Sequence, residues 1–156
     1  MLDERIFSLI VPGEPVAKGR HRTGRWHAYT PKKTRDAQNK ITVLALGAGF
    51  GEPLLGPLIM RVEFVFRIPP SWTKWKREAA RRGMVCHTGK PDLDNVLKLV
   101  KDGLTKASIY KDDSQVMRVE MVKAYCRAGE EPRTLIKVHQ ALHVSNRAEW
   151  LDWLGA

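Results

Sequence analysis

Clusters of glycine and proline cut this chain into short elements. Pro12-Gly13, the group Gly47, Gly49 and Gly51, the pair Pro69-Pro70, the stretch Gly83 to Gly89 and the turn Gly129 to Pro132 each halt a regular pattern. What lies between them alternates between period two and helical period. Arg5 to Val11 reads as a strand. Pro31 opens a helix from about Lys32 to Leu46, with Thr30 as its expected cap. Leu58 to Ile68 is a second strand. It places Leu58, Met60, Val62, Phe64 and Phe66 on one parity, and Ile59, Arg61, Glu63 and Val65 on the other. Ser71 is expected to cap a short basic helix ending at Arg82. Leu93, Leu97, Val100 and Leu104 recur at helical spacing and predict one buried stripe. Val116 to Tyr125 and Thr134 to Val144 read as strands joined by the Gly129 to Pro132 turn. Arg147 to Leu154 reads as a closing helix with Trp150 and Trp153. This order predicts an α+β fold, with a mixed β-sheet and helices packed on it. At 156 residues the chain suits one domain spanning 1–156.

The charge points to a polyanionic partner. Lys and Arg total 27 against 17 Asp and Glu, a formal +10, so nucleic acid is the first expectation. From Lys18 to Lys40 eight basic residues stand against Asp36 alone: Lys18, Arg20, Arg22, Arg25, Lys32, Lys33, Arg35 and Lys40. Trp26, His27 and Tyr29 lie among them as flat rings able to stack. Trp72 to Lys90 adds Lys74, Lys76, Arg77, Arg81, Arg82 and Lys90 against Glu78. No apolar run is long enough to span a bilayer; Ile41 to Phe50 is short and glycine-rich. The acidic start gives no secretory signal, so an intracellular protein without membrane attachment is expected. Cys86 and Cys126 are far apart and lack a CxxC motif, which argues against a disulfide framework or a zinc ribbon.

Between Asp92 and Asp113 the balance reverses, with five aspartates to four lysines. In Lys90-Pro-Asp-Leu-Asp-Asn-Val-Leu-Lys98, Pro91 keeps helix from starting earlier. Asp92 and Asp94 then stand at a helix mouth with Leu93 buried between them. Two carboxylates at one point suit Mg²⁺, which takes one or two of them plus phosphate oxygens and water. Lys98 follows Asp94 by one helical turn on the same face. Helix capping explains one such aspartate equally well. Asp112-Asp113, ahead of the next strand, is ordinary turn chemistry on one reading. On the other it supplies a third carboxylate, if the chain returns beside the helix start. Clustered acids and a lysine are the composition of a metal site for phosphodiester hydrolysis.

These residues resemble the RusA-type Holliday-junction resolvases. The likeness lies in Lys-Pro-Asp-Leu-Asp-Asn-Val-Leu-Lys, in Asp102-Gly-Leu-Thr, in Asp112-Asp-Ser-Gln-Val and in Pro12-Gly-Glu-Pro-Val-Ala-Lys18-Gly-Arg20-His-Arg22, with Tyr29-Thr-Pro31 and Lys33-Thr-Arg35 following. It runs from about Val11 to Lys123 and is most similar to phage and prophage members. The resemblance implies a small α+β homodimer that cuts opposed strands of a four-way DNA junction with Mg²⁺ or Mn²⁺ in a bacterial or phage-infected cytoplasm. It assigns Asp92, Asp94 and Asp113 as metal and catalytic carboxylates and Lys98 as the catalytic lysine. Asp112 is the weaker member of its pair, and Asp102 reads as structural. Lys18, Arg20, Arg22, Lys32, Lys33, Arg35 and Lys90 are expected on DNA. Some members carry arginine where this chain has Pro91, so that role passes to Lys90 or lapses. The Trp72 to Gly83 stretch is longer and more basic than in the shortest members.

Other signals are set aside. His139 and His143 share a strand face but stand roughly 13 Å apart by strand rise, too far for one metal. Cys86-His87 lacks further soft ligands for zinc, and no glycine-rich loop ends in Lys-Ser/Thr, so no nucleotide cofactor is expected. Two rivals to the resolvase remain: a non-catalytic basic nucleic-acid binder, and a metal nuclease acting on flaps or other branched nucleic acid. Lys98 separates the first, since a pure binder needs no lysine behind two helix-mouth carboxylates. Paired cuts from one constellation per chain require a two-fold homodimer, with strand Leu58 to Phe66 and the Trp150/Trp153 helix as material for its interface.

Overall fold

The computed structural model describes residues 5–19, 22–23 and 28–141, and for 22–23 and 28–29 the backbone alone. Strand β1 (Ile6–Pro12) is followed by the short strands β2 (Arg22–Thr23) and β3 (Ala28–Tyr29), helix α1 (Lys32–Gly47) and strand β4 (Leu58–Phe66). Helices α2 (Lys74–Arg81) and α3 (Leu93–Lys106) then lead to strands β5 (Val116–Tyr125) and β6 (Arg133–Gln140). The main sheet has the order β1-β6-β4-β5, and β2 pairs with β3 in a separate two-stranded ribbon that the sequence did not signal. β4 and β5 are parallel, while β6 runs antiparallel to both β4 and β1. This is the mixed sheet of an α+β fold.

The last two strands, joined by the turn at Gly129 to Pro132, are not neighbours in the sheet. β5 and β6 do not form a hairpin, because β4 lies between them and takes both as neighbours. The reason is hydrophobic. β4 is the most apolar strand, buried along nearly its whole length, and a place inside the sheet pairs both its edges and flanks its side chains with those of two neighbours. That also removes β4 as dimer material: Leu58, Met60, Val62, Phe64 and Phe66 are buried in the core with α1 and α3 residues. The opposite parity carries the Arg61–Glu120–Arg118 ion pairs at 2.6 Å each.

On the core side α3 buries Val96, Leu99, Val100, Gly103 and Leu104, whereas Leu93 and Leu97 of the expected stripe are only partly covered. The true stripe is rotated toward α1. The two helices meet closely at Gly103, where a Cβ would fall 2.7 Å from Ile41 Cγ2 and 2.9 Å from its Cβ. Thr42 Oγ1 donates to the Gly103 carbonyl across this contact at 3.1 Å. Helix α1 has Pro31 in its cap position with no side-chain cap bond, and α2 starts behind Thr73 rather than Ser71. The expected closing helix Arg147 to Leu154, with Trp150 and Trp153, and the strand end to Val144 with His143 lie outside the described residues.

Candidate active site

Helix α3 positions the aspartates. Asp92 occupies its N-cap with extended backbone (φ −68°, ψ 145°), and its carboxylate makes no capping hydrogen bond. Asp94 lies in the first turn. Both are exposed, as is Lys98 one turn further along. The capping explanation thus accounts for the position of Asp92 but not for its side chain, which stays available to a ligand. The loop before it is pinned by Lys123 of β5, whose ammonium donates to the carbonyls of Gly89 (2.7 Å) and Pro91 (2.9 Å). Sequence gave no hint of that role, because Lys123 is distant along the chain. The positive end of the α3 dipole adds to the attraction for phosphate at this point.

Asp92 opens on a cleft of about 1140 Å³ whose wall includes Lys33, Arg67, His87, Lys90 and Asn95. Of the basic residues expected on DNA, Lys33 and Lys90 therefore flank Asp92. Lys32 and Arg35 are exposed on α1 outside this cleft. His87, weighed above as a zinc ligand, packs instead against the rings of Phe66 and Tyr125, with centroids at 4.2 and 4.6 Å. Burial, then the nearby Lys123 charge, lower its pKa, so it is neutral at pH 7. Cys86 is exposed and unpaired.

The structure does not bring Asp113 to the helix start. Its Oδ1 accepts from Thr105 Oγ1 at 2.7 Å and from the Tyr110 hydroxyl at 3.3 Å. Lys101 Nζ stands 3.8 Å from its Oδ2. These partners belong to the far end of α3, and about 16 Å of helix separates Asp94 from Thr105. Among the described residues no group of three or more acidic, histidine or cysteine side chains is close enough to hold one ion. Tyr110 is fully buried; burial first, and the Asp113 charge after it, raise its pKa and keep it a donor. Asp113 is thus held in one orientation, its side chain 40% exposed. Asp112 does what the turn reading expects. It caps the 3-10 turn Asp113–Gln115 in a reciprocal capping box, and the hydrogen bonds from Ser114 hold its carboxyl below the ordinary value.

Lys18 is engaged within the chain. Its ammonium pairs with Asp102 at 2.5 Å, both side chains about one-quarter exposed, so it braces the N-terminal segment against α3 instead of standing free for phosphate. Its backbone N–H also donates to the Asn95 carbonyl. Lys18, Asp102, Thr105 and Asp113 line a second cavity of about 460 Å³. The structural reading of Asp102 fits this pairing, although the pair sits beside Asp113. Arg20 and Arg25 with Trp26 and His27, and the side chains of Arg22 and Tyr29, lie outside the described residues.

Comparison with known proteins agrees with this architecture. Residues 12–139, from the end of β1 into β6, match the family model described as endodeoxyribonuclease RusA. The chain is 37% identical over 136 residues to "Uncharacterized protein YqaN" of Bacillus subtilis (strain 168), covering 83% of this chain and 93% of that protein. It is 36% identical over 69 residues to "Crossover junction endodeoxyribonuclease rusA" of Lactococcus phage r1t, covering 43% of this chain and 44% of that one. No described helix is long and apolar enough to cross a membrane. With its helix-mouth carboxylates, its basic cleft and a match across most of its length, the chain belongs to the RusA family of endodeoxyribonucleases.

Proposed function

We propose that this endonuclease resolves four-way DNA junctions by paired phosphodiester cleavage, as a homodimer dependent on Mg²⁺, with Mn²⁺ able to replace it. The observation that carries the reading is Asp92: an exposed carboxylate at a helix mouth, unengaged by the helix it caps, on a cleft with Lys33, Arg67 and Lys90. The phage relative's name supplies the substrate class.

The donor set fits a hard divalent cation. Asp92 and Asp94 would hold it with charged oxygens two residues apart, the rest of a Mg²⁺ shell being ordinarily phosphate oxygens and water. When bound, such an ion supplies a water of lowered pKa and neutralises charge on the phosphate. The chain does the rest. Lys33, Arg67 and Lys90 hold backbone phosphates along the cleft, and the α3 N-terminus draws the scissile group toward Asp92. Lys98 presents its ammonium from the same helix face, where it stabilises charge that grows on the phosphoryl oxygens in the transition state.

Asp113 lies too far along α3 to join Asp92 and Asp94 within one chain. A two-fold dimer that sets the exposed face of α3 antiparallel against its own copy brings the partner's Asp113 to the helix mouth. Each dimer then has two such three-carboxylate sites, as two symmetric cuts require. The test is purified protein on labelled four-way junction, flap and linear duplex, with Mg²⁺ and with chelator. Paired cuts in the junction that need the metal support the reading. Binding without cleavage would favour the non-catalytic binder, and preferential cutting of flaps would move the substrate.

A further inference from the structure

The stretch Trp72 to Gly83, between β4 and α3, is basic, and none of its side chains lines the Asp92 cleft. A ladder of rings fastens it to the sheet. Trp72 meets Tyr125 edge-on at 5.0 Å, Tyr125 lies against His87, and His87 against Phe66. Lys76 Nζ sits over the Trp72 ring, 3.9 Å from its centroid. His87 packs on both Phe66 and Tyr125, which pair across β4 and β5, so these rings serve anchorage. Phe66, His87 and Tyr125 also line the Asp92 cleft, which puts the root of α2 on the rim of that cleft. At the other end of α2, Gly83 turns the chain back at φ +74°, a conformation that suits glycine.

The outward face of α2 is Lys74, Trp75, Glu78, Arg81 and Arg82, all exposed. Glu78 is engaged by Arg81 at 3.5 Å and Arg82 at 3.3 Å, so the face stays cationic. Trp75 stands in the middle, 72% exposed. A large ring left in water between cations is the combination that grips single-stranded nucleic acid: phosphates on the charges, a base on the ring.

We propose that this face of α2 holds DNA as it leaves the cleft, with Lys74, Arg81 and Arg82 on phosphates and Trp75 stacked on an unpaired base at the branch point. The inference deepens the junction-nuclease reading and rests on it. Charge complementarity selects a nucleic-acid strand as the occupant, and the ring selects a site where bases are unpaired, since a linear duplex offers no free base face along its length.

Binding is measured by fluorescence anisotropy in chelator, so that no strand is cut, on a four-way junction, a single strand and a linear duplex. Trp75→Ala is expected to weaken junction and single-strand binding by about 5- to 100-fold, the loss of one stacked base, and to spare the duplex. Trp75→Phe should recover part of the loss. The triple variant Lys74→Ala, Arg81→Ala, Arg82→Ala should flatten the log–log salt slope by about 2 or more. Unchanged junction affinity for Trp75→Ala, or an equal loss on duplex, overturns the stacking role. An unchanged slope overturns the phosphate contacts. A dimer that dissociates on Trp75→Ala while junction affinity holds would assign this face to a second copy instead. If wild type binds none of the three DNAs, the junction reading falls with it, an outcome distinct from a failure confined to the α2 variants.

Discussion

Asp92→Ala separates a capping aspartate from a catalytic one. An aspartate that caps through its side chain contributes about 1 kcal/mol, and its loss in a domain of this size lowers Tm by roughly 2–4 °C. Asp92 makes no such bond. What remains is the attraction between an exposed carboxylate and the α3 dipole, about 0.3–1 kcal/mol and weakened by salt. At 0.15 M salt we therefore expect Asp92→Ala to shift Tm by less than about 2 °C. Asp92→Asn, which keeps the volume and can still cap, should shift it less. Cleavage of a labelled junction in Mg²⁺ should fall by orders of magnitude in both variants, while junction binding in chelator is retained or improves as a negative charge is lost. Tm is read by differential scanning fluorimetry and the rate by single-turnover cleavage. A drop in Tm of 4 °C or more with a wild-type rate would refute the reasoning and return Asp92 to the role of a cap.

Three further outcomes follow from the same geometry. Lys98→Ala should lower the rate at saturating DNA by orders of magnitude and change affinity little, because its contact strengthens as charge develops; a change confined to affinity would make Lys98 a simple phosphate contact. Lys33→Ala and Lys90→Ala should each flatten the salt dependence of binding by ~0.9 on duplex arms, whereas Lys18→Ala, which removes the partner of Asp102, should lower Tm and leave the slope unchanged. Gly103→Ala drives a methyl into Ile41. Overpacking of this kind costs ~1–3 kcal/mol against up to ~1 kcal/mol of gained helix propensity, so urea melts should show net destabilisation.

What the sequence made legible was local. Pro12-Gly13 and Pro69-Pro70 ended strands close to where the structure ends them, and Pro91 fixed the helix start that puts Asp92 at its mouth. The turn at Gly129 to Pro132 was equally visible, yet it does not join neighbours. Which strand sits at the sheet centre is decided by total apolar burial along β4, a property no turn residue carries. Asp113 was found as a residue and misplaced in space, because its position depends on hydrogen bonds from Thr105 and Tyr110 at the far end of α3. Lys18 looked like any lysine in a basic run; its partner Asp102 lies 84 residues away. Lys123, which pins the loop ahead of Asp92, gave no signal for the same reason.

The central claim is that a dimer assembles its carboxylate site from two chains, and complementation tests it most directly. Asp94→Asn and Asp113→Asn protomers carrying different tags are co-expressed, and the heterodimer is purified and mixed with labelled four-way junction in Mg²⁺. Each variant alone should be inactive. In the heterodimer one site combines both defects, while the other takes Asp92 and Asp94 from the Asp113→Asn protomer and Asp113 from its partner, so it is intact. The account predicts that the heterodimer nicks one strand and fails to complete the paired cut. A heterodimer as inactive as the two parents would contradict it, because every site would then have drawn all its carboxylates from a single chain.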